Sequence, residues 1–95
     1  MKTEPLTKIR VLFAYYFEPR DDLIMAGELL QGFGAHPGMK LKLKEGEGSW
    51  RVTGICHLPP EAVMAEPPHI GLGLHNSDNP RQPLEAGQHL IEVRD

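Results

Sequence analysis

Leu23-Ile24-Met25-Ala26-Gly27-Glu28-Leu29-Leu30-Gln31-Gly32-Phe33 is the stretch on which the fold turns. Read as a helix, it places Met25, Ala26, Leu29 and Leu30 on one face. Asp21 or Asp22 would cap it and Gly32 would stop it. Against the helix stands Gly27, which costs a helix interior about 1 kcal/mol relative to Ala. Composition leaves both readings open. A helix at about 22–31 makes the chain α+β; a strand makes it all-β.

The segments on either side read as strands. From Lys8 to Phe17, Ile9, Val11, Phe13, Tyr15 and Phe17 fall on alternate positions, a period of two rich in aromatic and β-branched residues. The other face carries Lys8 and Arg10, then Leu12, Ala14 and Tyr16, so part of it is expected to be covered as well. Downstream, Ala35-His36-Pro37-Gly38 has the chemistry of a type II turn, with Pro presetting φ and Gly supplying a positive φ after it. Met39 to Lys44 then alternates cleanly, with Met39, Leu41 and Leu43 opposite Lys40, Lys42 and Lys44. Glu45 to Gly48 is a loop and Ser49 to His57 a second strand, which together form a hairpin. In that strand Trp50 and Val52 share a face, and Gly54 marks a bulge after which Ile55 is expected to turn inward.

Leu58 to Pro68 is a long connection, with a helical turn expected over Glu61 to Glu66 after Pro59-Pro60. Ile70, Leu72 and Leu74 alternate with Gly71 and Gly73, a strand with one bare face that a backbone or ligand can approach closely. Asn76 to Pro83 is a polar loop, Ala86-Gly87 a turn, and Gln88 to Val93 the last strand. The expected core is Ile9, Val11, Phe13, Leu41, Leu43, Trp50, Val52, Ile70, Leu72, Leu74 and Leu90.

Composition agrees with many short elements. Ninety-five residues suit one domain spanning 1–95, and 40% hydrophobic content is too high for a disordered chain. Ten Gly and nine Pro are spread along the chain, which favours β architecture over a helix bundle. The net charge of −3 shows no global basic excess, so nucleic acid begins as a disfavoured partner. The single Cys56 makes no internal disulfide. Met1-Lys2-Thr3-Glu4-Pro5 begins no signal peptide, and the longest apolar run, Val11 to Phe17, is far short of a membrane span. A cytoplasmic protein with no membrane contact is the expectation.

The glycine spacing carries a resemblance. Met25-Ala26-Gly27-Glu28-Leu29-Leu30-Gln31-Gly32 followed by Pro37-Gly38-Met39-Lys40-Leu41-Lys42-Leu43 resembles the second-domain β-barrel of translation elongation factors. Trp50 to Ile55, Ile70 to Leu74 and Leu84 to Leu90 are similar to later strands of that barrel, so the likeness spans roughly residues 9 to 93. It implies that Leu23 to Phe33 is a strand, and that the chain is a six-stranded, mostly antiparallel closed barrel. The GTPase domain of that family has no counterpart here, since no phosphate loop ending in Lys-Ser or Lys-Thr occurs. The residues of the likeness are fold determinants and do not carry the family's activity to this chain.

The chemistry-bearing residues are scattered. His36, His57, His69, His75 and His89 show no paired metal spacing, and His69 and His75 would lie about 20 Å apart along a strand. Loop or solvent-facing histidines are the expectation. Cys56 and His57, as strand neighbours, point to opposite faces, so a buried structural Cys56 is expected. Ser49 and Ser77 flank turns without a nucleophile elbow. Lys40, Lys42 and Lys44 form a basic stripe that either holds phosphates or is a solvated, edge-guarding face; without interleaved aromatics the second reading is preferred. The sequence therefore points to a non-enzymatic binding module without cofactor or catalytic residues. Its expected partner is an unidentified protein, with homo-oligomer formation open. An RNA- or ribosome-associated module is the first alternative, with Lys40, Lys42 and Lys44 as its surface, and a metal protein or small enzyme using the histidines is the second.

Overall fold

The computed structural model describes residues 5–94. The reading of the first residues as no signal peptide lies almost wholly outside them. The strands are β1 (Lys8–Phe17), β2 (Asp22–Gln31), β3 (Lys40–Leu43), β4 (Ser49–Cys56), β5 (His69–His75) and β6 (His89–Val93). They close in the order β1-β2-β5-β4-β3-β6, with every pair antiparallel. The fold is an all-β, six-stranded closed barrel. No helix among the described residues is long and apolar enough to cross a membrane.

The deciding stretch is a strand. β2 is flanked on both sides, by β1 and β5, so tertiary pairing settles what propensity left open. Leu23, Met25, Gly27 and Leu29 of β2 stand opposite Tyr16, Ala14, Val11 and Ile9 of β1, on the inner face. Gly27 occupies its place because a Cβ there would lie 2.6 Å from Ile9 Cγ2 and 2.8 Å from the Arg10 carbonyl oxygen. The glycine that argued against a helix is thus a point where β1 leaves no room for a side chain on β2.

The turns follow their local chemistry. The Met39 N–H donates to the His36 carbonyl at 3.1 Å across Pro37-Gly38, with Gly38 at φ 92°. The connection from β4 to β5 carries a short helix, α1 (Pro60–Val63), which starts at Pro60 and ends before the expected Glu66.

The interior holds Ile9, Val11, Leu41, Leu43, Trp50, Val52, Leu72, Leu74 and Leu90 as expected, joined by Leu23, Met25, Met39 and Leu84. Ile70 is only partly buried and packs against this cluster from its margin. The Trp50 indole N–H has no hydrogen-bond partner in the core.

Phe13 corrects the expected core: it is 55% exposed. The β1–β2 register shifts between Val11 and Phe13, leaving Leu12 as an extra residue. Beyond that bulge the inward phase passes to Leu12, Ala14 and Tyr16, and Phe13, Tyr15 and Phe17 turn outward. Two further expectations fail. The register of β4 against β5 shifts between Val52 and Gly54, and Ile55 emerges 51% exposed instead of turning inward. Cys56, the last residue of β4, is half-buried rather than fully enclosed.

Candidate functional site

Barrel closure gathers the basic residues on one side. Across β1, β6, β3 and β4, the registers place Lys8, Ile91, Lys42 and Ser49 in one row. Residues directly opposite in a ladder share a face, so these side chains all project to the same side of the sheet. A neighbouring row sets Val93, Lys40 and Arg51 side by side. On the other flank Arg10 stands opposite His89, and the Lys44 N–H donates to the His89 carbonyl at 2.9 Å. Lys8, Arg10, Lys40, Lys42, Lys44 and Arg51 are all exposed, and Ile91 and Val93 form a half-buried strip between them. Six of the ten Lys and Arg residues of the chain thus share one curved sheet face.

Two of the six cations are engaged locally. Arg10 Nε donates to Glu28 Oε1 at 2.6 Å, and Arg51 donates to the Gly38 carbonyl at 2.7 Å. Glu45 and Glu47 lie at the tip of the hairpin beyond Lys44, where a shallow cleft of about 420 Å³ is lined by Lys44, Glu45 and the turn leading into β6. Glu18, Asp21 and Asp22 lie about the turn after β1 and Glu61 and Glu66 in the β4–β5 connection, whereas Glu28, Glu45 and Glu47 border the cationic face.

Lys40, Lys42 and Lys44 lie where the alternation of β3 put them, all solvent-facing. What the sequence did not reveal is the company they keep. Lys8 and Arg10 are thirty residues away, and only the pairing of β6 with both β1 and β3 brings them alongside. The alternation of His89, Ile91 and Val93 against Leu90 and Glu92 was the available signal that β6 has a solvent-facing side.

A second surface lies on the remaining half of β1. Phe13, Tyr15 and Phe17 are 55%, 52% and 38% exposed and occupy successive outward positions. Tyr15 stands opposite Ile24 on the same face. On the inner side Tyr16 donates its hydroxyl proton to Asp21, and the Arg81 guanidinium lies 4.7 Å from the centre of its ring. The hydrogen bond to Asp21 raises the Tyr16 phenol above its usual range.

The histidines do not converge. His69 and His75 begin and end β5, His89 opens β6, and His36 and His57 lie outside the strands. Among the described residues, no three of His, Cys, Asp and Glu lie close enough to hold one metal ion. His75 Nδ1 approaches Asp22 Oδ1 at 3.3 Å, and Thr53 donates to the other Asp22 oxygen at 3.0 Å, which ties β4 and β5 to the turn after β1. The bare face of β5 is approached by protein: a Cβ at Gly71 would lie 3.0 Å from the Cys56 carbonyl oxygen, and one at Gly73 2.8 Å from Thr53 Oγ1.

The carboxylate most firmly held is Glu92, on the inner side of β6. It accepts hydrogen bonds from Arg94 Nε at 2.8 Å and from the Thr7 N–H at 3.0 Å. Arg94, and then Thr7, hold its carboxyl below the usual range, while burial opposes them.

No family model, curated protein or solved structure matches this chain.

Proposed function

We propose that the protein is a non-enzymatic binding module whose working surface is the cationic β1-β6-β3-β4 face, and that its partner is single-stranded RNA. The observation that carries this reading is the row in which β6 sets Lys8 beside Lys42, two strands away. Strand neighbours stand about 4.8 Å apart and alternate residues along a strand about 6.6 Å. Cations on such a lattice can each meet a phosphate of an extended strand. The negative net charge is no obstacle, because association responds to local potential, and the six cations of this face outnumber the Glu28, Glu45 and Glu47 carboxylates at its border.

With no aromatic side chain between the lysines, base stacking contributes little. Binding should be electrostatic and tolerant of sequence. An oligonucleotide titration at several salt concentrations tests this. Three to five phosphate contacts give a log–log salt slope of about −2 to −3.5, at roughly −0.7 per contact for single strands. Lys42→Glu should weaken binding to all sequences alike and flatten that slope by about one phosphate contact. Absence of binding at low salt, or a Lys42→Glu variant that binds as before, would reject the reading.

A further inference from the structure

We propose that His89 is a proton-dependent phosphate contact at the centre of the cationic face, so that RNA binding takes up one proton and tightens as pH falls. This pH control rests on the RNA reading of that face.

β6 runs through the middle of the face, between β1 and β3, yet it carries no lysine or arginine. Its outward positions are His89, Ile91 and Val93, which alternate with buried Leu90 and Glu92. His89 stands opposite Arg10 of β1. On its other side β3 pairs Leu43 with Leu90, so the next step of that register sets Lys44 beside His89. The Lys44 N–H confirms the step by donating to the His89 carbonyl at 2.9 Å. Arg10, His89 and Lys44 thus form a row next to that of Lys8, Ile91 and Lys42. Of the three residues that β6 turns outward, His89 alone can carry charge. Strand neighbours are about 4.8 Å apart, so a phosphate held by Arg10 or Lys44 lies within reach of the ring between them.

The ring is uncommitted. It is half-buried and lines the shallow cleft with Lys44, Glu45 and Gln88. His36 and His75 each set Nδ1 3.0 Å from a carbonyl oxygen, whereas His89 makes no ring hydrogen bond among the described residues. The charged groups about it have both signs. Arg10 comes from β1 with Glu28 of β2 bound to it, Lys44 and Glu45 follow β3, and the turn leading into β6 carries Glu85. Phosphates laid across the row add negative charge alone, and an opposite charge within about 4–6 Å favours the imidazolium. The proton comes from solvent. A group that takes up a proton on binding adds affinity that is absent at high pH. That affinity grows as pH falls through the imidazole range and levels off once the free chain is charged as well.

Titration of the whole chain with oligouridylate, whose bases take up no proton in this range, tests the proposal at about pH 8 and about pH 5.5 in the same salt. The Kd should fall about three- to tenfold at the lower pH, and the log–log salt slope should steepen by about 0.7, one phosphate contact. His89→Gln should hold its Kd within about twofold across the same change. His89→Lys, with a permanent charge, should bind at the higher pH about as tightly as the parent chain does at the lower. The ring-proton resonances give a readout that needs no variant. The titration of His89 should move to higher pH in the complex, while that of His57, beyond the end of β4, stays in place. A Kd unmoved by pH, an acid gain retained in His89→Gln, or an unmoved His89 titration overturns the proposal. Binding at the higher pH would in that case leave the RNA reading of the face standing, whereas no binding at either pH overturns both.

Discussion

Phe13 and Ile9 look equivalent in the chain, both apolar and both in the same phase of one alternating run, yet one faces water and the other the core. Ile9 is fully buried and Phe13 more than half exposed. Ile9→Ala should cost about 2–5 kcal/mol, as large-to-small core changes do. Phe13→Ala, although it removes the larger side chain, should cost within about 1 kcal/mol. Urea midpoints of the two variants check this directly, and equal losses would place Phe13 inside. Glu92 gives a second test at this scale. A carboxyl held low in the folded chain adds stability at pH above its ordinary value. That stability disappears as pH falls through the depressed value. Glu92→Gln should therefore lose about 1–3 kcal/mol at neutral pH, as the bonds to Thr7 and Arg94 are weakened, and should narrow its deficit towards acid. Chemical denaturation at pH 7 and pH 3 measures both.

At the scale of the element, β3 and β5 could be read from the chain because each has one apolar and one polar or bare face. β1 could be read as a strand but not in its phase. After Val11 both of its faces are apolar, so nothing local says which of Leu12 and Phe13 goes in. The bulge that decides is imposed by β2, whose unbroken inward series Leu23, Met25, Gly27, Leu29 must match Tyr16, Ala14, Val11 and Ile9. β2 itself was legible only through the spacing of its glycines. A helical stripe and a two-sided strand contain the same apolar residues there. Gly27→Ala tests how closely the two strands approach. Its Cβ would press on Ile9 and on the Arg10 carbonyl, so a cost of about 1–3 kcal/mol is expected, where an unstrained helical glycine would gain stability from the same change. A thermal melt separates the two outcomes by sign.

For the whole molecule, closure is the step that composition cannot convey. Lys40, Lys42 and Lys44, in and just after β3, were visible as a stripe, but the face to which they belong is made by β6 joining β3 to β1. The same closure gathers six of the ten Lys and Arg residues on one side of a chain of net charge −3. β1 contributes to two surfaces, with Lys8 and Arg10 before the bulge on the cationic side and the three rings after it along the open edge. The most direct measurement is amide chemical-shift mapping of the whole protein titrated with a short single-stranded RNA at low salt. Perturbations should be confined to Lys8–Val11, β3, β6 and the first half of β4, and β5 and the outer half of β1 should stay unmoved. Shifts centred on β5 or on Phe13–Phe17, or none at all, would contradict the assignment of the cationic face as the working surface.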